Sequence, residues 1–337
     1  MFDVTLYGVR GSIPAPDTDR DTRRKIKKAL LRFVEQGCPG DLDAFLTTFN
    51  APFTHGGNTS CVEVVFDKSE RFILDLGTGA RPLGNSFFPE MFQKRGLKIT
   101  FLLSHVHWDH IQGLPFFGPL YVNKETGIRN RWTMYGGTGW QKDAEECLRG
   151  QMDAPTFPVS WEEIGAITDA ISFTPVYDRM SFVPIPGLKI TCRKLNHPQE
   201  TYGWRFETPD GPQKRIVAYT TDNEPYNPDI PHPPLLDLAR DADIWITDCQ
   251  YPEDVYNGKK GGVPRHGWGH SYPRAVAATA IEAKVKTVVL FHHDPASSDD
   301  DIEALREEVE TIIRTYRPDG GGIQVVAAWE GLTLHTS

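Results

Sequence analysis

One nine-residue stretch, Leu102 to His110, constrains this chain more than any other feature. It reads Leu-Leu-Ser-His-Val-His-Trp-Asp-His, and it places three imidazoles and a carboxylate directly after an apolar run typical of a β-strand. A hydrophobic core would have to satisfy each of these polar groups separately, whereas a divalent cation satisfies several nitrogen and oxygen ligands at once. The stretch therefore predicts a metal site.

The spacing of these side chains predicts two adjacent ions. Alternate residues of an extended segment face the same way, so His105 and His107 would share one metal. Asp109 and His110 would turn toward a second metal, and ions about 3.5–4 Å apart can hold a hydroxide between them. The remaining ligands must come from distant sequence, on loops that converge at a sheet edge.

The charge balance limits the partners of such a site. The 337 residues carry a formal net charge of -9, and this field repels phosphate backbones and anionic lipid unless a local basic patch overrides it. Only short basic pieces such as Lys259-Lys260 and Arg265 are visible, and the charged stretch 17–28 is interpreted as a solvated helix or surface insertion. We therefore expect a small-molecule substrate, and the composition argues against a long nucleic acid.

The distribution of apolar residues predicts the compartment. No apolar stretch approaches the roughly 20 residues that span a bilayer. The first ten residues alternate like a strand and lack the basic-then-apolar layout of a signal peptide. The expectation is a cytoplasmic protein with no membrane partner.

Short apolar runs of strand length recur along the chain, and helical patterns lie between those of the last third. The clearest helices are predicted over 300–314 and over 272–283, the second with Gly269-His270-Ser271 as its capping region. This order predicts an α/β protein with sheets inside and helices outside. The predicted strands are 4–9, 61–66, 72–76, 99–103, 216–219, 244–247, 287–291 and 323–328.

The run His105-Val-His107-Trp-Asp109-His110 after a strand resembles the signature of the metallo-β-lactamase fold superfamily. The Gly-Asn-Thr-Ser segment at 57–60 and the Tyr-Gly-Trp-Arg-Phe segment at 202–206 resemble its ribonuclease Z and phosphodiesterase branch. The resemblance implies a four-layer αββα sandwich. It covers 1–337 as a single domain, with insertions at about 17–53 and 124–182 that no motif fixes.

The resemblance also implies the rest of the ligand set. His197 would complete the first metal's ligands, and Asp222, at a predicted strand end, would touch both ions. The last ligand follows a strand near the C-terminus, where His292 is favoured over the adjacent His293. Asp75, before Gly77, would hold a ligand histidine in its metal-binding tautomer.

Two further histidines stand beside motifs of this branch. His270 resembles the histidine that the ribonuclease Z branch uses near the leaving group, so it could donate a proton, although a helix-capping or surface role explains it equally well. With Asp109 it forms the pair of residues predicted to take part directly in catalysis. His55 precedes the Gly-Asn-Thr-Ser segment, and loop packing or substrate contact would account for it.

Two metal ions in such a site lower the pKa of a bridging water toward neutrality, so hydrolysis is the natural reaction. Zinc is the default ion, and manganese or iron suits the same mixed ligands. Asp222, where some lactam-cleaving relatives carry cysteine, favours a symmetrical clamp suited to displacement at phosphorus.

The main functional hypothesis is therefore a phosphodiesterase acting on a small phosphodiester such as a cyclic nucleotide. An RNA-processing endonuclease of ribonuclease Z type, an ester or lactone hydrolase and a non-catalytic metal-binding sensor remain as alternatives. A homodimer is possible. The aromatic residues of the middle segment could form a subunit interface, cover the site or pack in the core; they are Trp132, Trp140 and Trp161.

Overall fold

The computed structural model describes residues 1–49, 52–91, 96–121, 130–138, 142–162, 171–259, 262–317 and 322–336. Strands and helices are interspersed along this length, except for five consecutive strands over 171–220. The strands are β1 (Phe2–Gly8), β2 (Cys61–Phe66), β3 (Glu70–Leu74), β4 (Lys98–Leu102), β5 (Arg131–Gly137), β6 (Ile171–Val176), β7 (Ser181–Ile185), β8 (Leu188–Lys194), β9 (Tyr202–Glu207), β10 (Ile216–Thr220), β11 (Ile244–Asp248), β12 (Thr287–Phe291), β13 (Gln324–Ala327) and β14 (Thr333–His335). The helices are α1 (Asp19–Glu35), α2 (Leu42–Leu46), α3 (Ala80–Ser86), α4 (Phe88–Met91), α5 (Trp108–Ile111), α6 (Ala144–Gly150), α7 (Pro233–Ala239), α8 (Glu253–Tyr256), α9 (Pro273–Ala283) and α10 (Asp299–Tyr316), with 3₁₀ turns at Leu114–Phe116 and Gly118–Tyr121.

The strands form two mixed sheets that pack face to face. One has the order β14-β1-β2-β3-β4-β5-β6 and the other β13-β12-β11-β10-β9-β8-β7. Apolar side chains from both sheets, such as Phe72 and Phe206, meet in the core between them, with ring centroids 5.4 Å apart. Separate clusters cover the outer faces, one beneath α3 and α6 and the other beneath α7, α9 and α10. The predicted four-layer αββα sandwich is confirmed.

Parallel pairing positions the site. β3 and β4 pair in parallel in the first sheet, and β10, β11 and β12 do so in the second. Their carboxyl ends therefore lie at common sheet edges, where ligands bind in α/β proteins. Asp75, Asp222 and His292 each stand one or two residues beyond a strand, all with positive φ, at 61°, 53° and 59°. Such backbone conformations are rare for side chains of this size and cluster at functional sites.

Helix α9 begins differently from the sequence prediction. Its N-cap is Tyr272, with Pro273 at the first helical position, and no side chain caps its amides. The predicted capping role of Gly269-His270-Ser271 is wrong, because His270 and Ser271 are already bonded to Asp248 on β11.

The insertion at 17–53 contains the solvated helix that its charge pattern predicts. Helix α1 has no buried residue, and carboxylates neutralise several of its basic side chains. Arg23 pairs with Asp19 at 2.7 Å, and Lys25 pairs with Asp17 and Asp299 at 2.6 and 2.7 Å. None of the described helices is long and apolar enough to cross a membrane.

Two of the three tryptophans of the middle segment are buried in the core. Trp132 and Trp161 are 2% and 1% exposed and belong to the cluster on the outer face of the first sheet, so an interface or covering role for them is wrong. Trp140 lies outside the described residues.

Candidate metal centre

The predicted ligands converge where the carboxyl ends of the strands meet, and they form two groups. His105, His107, His197 and Asp222 offer ligand atoms that lie within 4.8 Å of one another. A second group consists of Asp109, His110 and His292, whose ligand atoms also lie within 4.8 Å of one another. The separation of His105 and His107 from Asp109 and His110 is the one that their spacing predicts.

Hydrogen bonds at Nδ1 of His197 and of His105 leave Nε2 of each ring free to face the other ligands of the first group. His197 donates its Nδ1–H to the carbonyl of Gly269 at 3.1 Å, which leaves Nε2 as a lone pair 3.2 Å from Nδ1 of His107. The Nδ1 of His105 lies 3.0 Å from the Ser104 hydroxyl, and its buried Nε2 has no hydrogen-bond partner. Burial lowers the pKa of all three imidazoles, that of His197 to about 4, so each is neutral near pH 7.

In the second group, one carboxylate lies between two histidines. Nε2 of His110 lies 3.2 Å from both Nε2 of His292 and Oδ2 of Asp109, while Nε2 of His292 lies 3.1 Å from that same oxygen. The Asp109 carboxylate also accepts from the backbone amide of Ser12 at 2.7 Å. Burial favours the protonated acid, but His110 and His292 outweigh it and hold the pKa of Asp109 far below its usual range.

Asp222 joins the two groups through its two oxygens. Oδ2 faces the first group, 3.6 Å from Nε2 of His105 and 3.9 Å from Nε2 of His197. Oδ1 faces the second, 3.2 Å from His292 and 3.4 Å from His110. A carboxylate divided in this way is suited to bridge two cations.

Asp75 orients two of the ligand histidines through hydrogen bonds. It is fully buried at the end of β3 and accepts from His110 Nδ1 at 2.8 Å, so Nε2 of His110 points into the site. It also accepts from the Ser104 hydroxyl and the Tyr219 hydroxyl, each at 2.7 Å. The Ser104 oxygen can therefore accept from His105 Nδ1, and one carboxylate fixes the tautomers of two histidines.

The charges of the site fit bound cations. Asp75, Asp109, Asp222 and Asp248 are all buried, and within the described ranges no lysine or arginine pairs with any of them. Three of these carboxylates surround His110 and, against the effect of burial, raise its pKa well above the usual range. Buried charges need partners. Two divalent ions would supply that charge and would also satisfy Nε2 of His105.

Sequence reasoning missed Asp248. This residue ends β11, next to β10, and its Oδ2 accepts from Nδ1 of His270 at 2.7 Å. The ring of His270 stacks on that of His292, with centroids 5.0 Å apart, and its Nδ1 lies 4.0 Å from Asp222. Asp222 is predicted at the end of an apolar strand, and the run Ile-Trp-Ile-Thr-Asp at 244–248 likewise ends an apolar strand in aspartate.

The remaining candidate histidines point elsewhere. His293 donates from Nε2 to the carbonyl of Ala328 at 3.0 Å and packs on His55, so of the adjacent pair only His292 faces the site. His55 is fully buried and lies 3.1 Å from carboxylates of both Asp299 and Glu303 on α10. Of the two explanations for His55, these contacts match loop packing.

Residues 79–293 match the family described as beta-lactamase superfamily domain, and the chain belongs to this metallo-β-lactamase superfamily. With its buried histidine and aspartate groups, it is a metal-dependent hydrolase of that fold.

Curated relatives include enzymes named Ribonuclease BN. The protein of Proteus mirabilis (strain HI4320) is 24% identical over 250 residues, which are 62% of this chain and 75% of the relative. That of Escherichia coli O7:K1 is 32% identical over 148 residues, 43% of this chain and 41% of the relative. The match with the second relative therefore spans less than half of its length.

Among solved structures, unliganded yeast PDE1 superposes with a TM-score of 0.62 at 12% sequence identity and covers 99% of each chain. At this identity the likeness shows the fold alone.

Proposed function

We propose that this chain is a dinuclear metal-dependent phosphodiesterase that acts on small phosphodiesters, of which a cyclic nucleotide is one example. The observation that carries the proposal is the division of Asp222, with one oxygen toward each ligand group. Such an arrangement suits in-line displacement at phosphorus, in which the entering and the leaving oxygen each need a neighbouring positive charge.

The residues present would hold two ions, and zinc is the first choice for imidazole-rich ligand groups, with manganese or iron as alternatives. His105, His107 and His197 would hold one ion, Asp109, His110 and His292 the other, and Asp222 both. When bound, the ions provide a nucleophile at neutral pH and polarise the phosphoryl oxygen.

The chain itself supplies the proton for the leaving group. Burial alone would lower the pKa of His270, but the Asp248 carboxylate and its hydrogen bond raise it to about 9, which favours the protonated ring. Its Nδ1–H is held by Asp248, which leaves the proton on Nε2 available. That proton moves to the oxygen of the departing alcohol, and the Asp248 carboxylate stabilises the charged ring until then.

Surface charge supports a small substrate. A platform for a folded RNA needs a surface of unpaired lysine and arginine side chains. Helix α1 is the most basic described segment, yet Arg23, Arg24, Lys25 and Lys28 each pair with a carboxylate at 2.6–3.6 Å. These pairs reduce the positive charge that the helix offers to phosphates, although Arg20, Lys27 and Arg32 have no carboxylate partner in the described ranges.

RNA cleavage of ribonuclease Z type is the second candidate, and the relatives named Ribonuclease BN favour it. It would use the same ligands and the same proton donor. An RNA precursor with an unprocessed end therefore belongs in the substrate panel.

The test combines metal analysis with substrate assays on one preparation. We expect about two metal ions per chain and turnover of bis-p-nitrophenyl phosphate and cyclic nucleotides, abolished in Asp109→Ala and Asp222→Ala. Turnover of a lactone or ester alone would move the reaction to another class. A faster reaction with the RNA precursor would favour the second candidate, and a chain without bound metal would contradict both.

A further inference from the structure

An arginine in the loop before α9 takes no part in the proposed chemistry. Arg265 stands in the loop between α8 and α9, five residues before His270. Its Nε is buried without a hydrogen-bond partner, which is true of no other arginine nitrogen in the described ranges. Within the same ranges its guanidinium forms no ion pair and donates no hydrogen bond, although half-buried arginines such as Arg71, Arg193 and Arg306 all pair with carboxylates.

Aromatic rings hold this guanidinium in place. Its Cζ lies 4.4 Å from the ring centroid of Trp268 and 5.9 Å from that of Tyr251. Cation–π contacts of this kind stabilise the charge and fix the plane of the group while leaving its N–H donors free. The ring of Tyr251 in turn lies 5.9 Å from that of His270, so one aromatic ring separates Arg265 from the proton donor.

The loop that carries Arg265 is built into the structure. The amide of Trp268 donates to the carbonyl of Arg265 at 3.2 Å, closing a turn in which Gly267 has a φ of 78°. The buried Glu224 accepts from the amides of Gly267 and Gly269, each at 2.8 Å. The position of Arg265 is therefore set before any ligand binds, and little ordering would be lost on binding.

We propose that Arg265 binds a second phosphate of the substrate, carried by the leaving portion. A planar guanidinium with free donors matches the geometry of a phosphate group. His270 protonates the departing oxygen in the proposed function, so a group beyond His270 on the Tyr251 side contacts the part of the substrate that leaves. The subsite rests on the proposed function and refines it. It predicts a higher kcat/KM for a linear dinucleotide with a terminal phosphate than for a cyclic mononucleotide.

The experiment compares thymidylyl-thymidine (TpT) with the same dinucleotide phosphorylated at either end (pTpT and TpTp), using the zinc-loaded protein. The products of TpT identify which nucleoside departs: thymidine with its 5′-phosphate indicates departure of the first nucleoside, and its 3′-phosphate that of the second. We expect a terminal phosphate on the departing nucleoside to raise kcat/KM by about 10- to 100-fold, the range for a charge-assisted hydrogen bond. A phosphate on the other nucleoside should raise it less.

Three variants test whether Arg265 causes this increase in kcat/KM. Arg265→Met should remove most of the gain, and Arg265→Lys should keep part of it, since it retains the charge but not the planar donor edge. Arg274→Met is the matched control, because Arg274 lies in the first turn of α9 but is already paired with Asp229 at 2.6 Å. It should leave the ratio between substrates unchanged.

Equal rates of the wild-type protein on the three dinucleotides would overturn the subsite, as would a gain that survives in Arg265→Met. The wild-type comparison does not depend on whether a variant folds. If none of the diesters is hydrolysed, the proposed function fails, and calorimetric titration with thymidine bisphosphate and thymidine monophosphate then decides the subsite alone. Tighter binding of the bisphosphate, lost in Arg265→Met, would support it; equal binding would overturn it.

Discussion

His270 donates its Nδ1–H to Oδ2 of Asp248 at 2.7 Å, and this bond decides which atom of the imidazole can act. With Nδ1 committed to the carboxylate, only Nε2 remains to exchange a proton with a substrate. Both side chains are buried, so water competes little for either partner. Asp248 is therefore a positioning residue that acts through His270.

Replacing Asp248 by asparagine should slow hydrolysis by an amount that depends on whether the leaving group needs a proton. We expect Asp248→Asn to slow hydrolysis of a diester with an alcohol leaving group by about 10²- to 10⁴-fold, the usual contribution of general acid catalysis. Bis-p-nitrophenyl phosphate should lose much less, because p-nitrophenolate departs without a proton. Steady-state rates on both substrates, with zinc content measured on the same samples, check this. Equal losses on the two substrates would mean that Asp248 supports the metal centre rather than the proton donor.

The adjacent histidines after β12 provide a matched pair for the second ligand group. His292→Gln should lower the bound zinc below two per chain and reduce turnover by at least about 10-fold, because Nε2 of His292 faces Asp109 and Asp222 at 3.1 and 3.2 Å. His293→Gln should keep the full zinc content, since the ring of His293 donates to the carbonyl of Ala328 and does not face the ligand groups. Elemental analysis after dialysis distinguishes the two. Loss of zinc from the second variant alone would reverse the assignment.

Two glycines in the loop before α9 test how closely the backbone approaches the first ligand group. A Cβ at Gly269 would lie 1.9 Å from Nδ1 of His197, whereas a Cβ at Gly267 would meet nothing within 4 Å. Both have positive φ, 87° and 78°, so alanine strains the backbone at either position.

We therefore expect Gly269→Ala to displace His197 and to weaken zinc binding about 10- to 100-fold. Gly267→Ala should cost about 1–2 kcal/mol of stability through strain and should leave zinc affinity within about twofold. A chelator competition assay measures the affinities, and chemical denaturation measures the stabilities. Equal zinc affinity in the two variants would show that backbone strain, not contact with His197, is the cause of any effect.

Much of this centre could be predicted from the sequence, in part from the contiguous run of ligands after β4 and in part from the family resemblance. His105, His107, Asp109 and His110 form a contiguous run, and Asp75, Asp222 and His292 each stand just beyond an apolar strand. Once parallel pairing is assumed, such ends converge. Asp248 also stands at the end of an apolar strand. The sequence alone did not identify it, because nothing near this aspartate indicates that it pairs with His270.

Other parts could not be derived from local pattern. Arg265 lies in a loop, and its significance depends on the absence of a carboxylate partner among the described residues, which the folded structure reveals. Trp132 and Trp161 stand in a segment without a clear hydrophobic period, so sequence alone did not distinguish surface from core for either. Helix α1 buries no residue, and its contacts with the rest of the chain, such as the ion pair of Lys25 with Asp299 and the ring contact of Phe33 with Phe45, are not visible in its local sequence pattern.

The buried His55 provides a test of stability that is separate from the metal centre. Its two ring nitrogens lie 3.1 Å from Asp299 and from Glu303, so both carry protons when both bonds form. Burial opposes this charge, but the two carboxylates outweigh it and raise the pKa of His55 above its ordinary value. The pKa values of Asp299 and Glu303 are lowered despite burial, by His55 and their other partners, so both remain charged near neutral pH.

A histidine whose pKa is raised by folding stabilises the protein fully below the unfolded pKa, about 6.5, and loses that contribution as pH rises through the folded pKa. The free energy of unfolding of the wild type should therefore exceed that of His55→Gln by about 1–3 kcal/mol at pH 6, and this difference should shrink toward pH 9. Urea denaturation at fixed zinc concentration measures it. His335→Gln is the control: the exposed pair of His335 with Asp3 should contribute less than about 1 kcal/mol throughout. A difference for His55→Gln that grows with pH would mean that His55 is neutral in the folded protein and that its carboxylate contacts do not hold a charge.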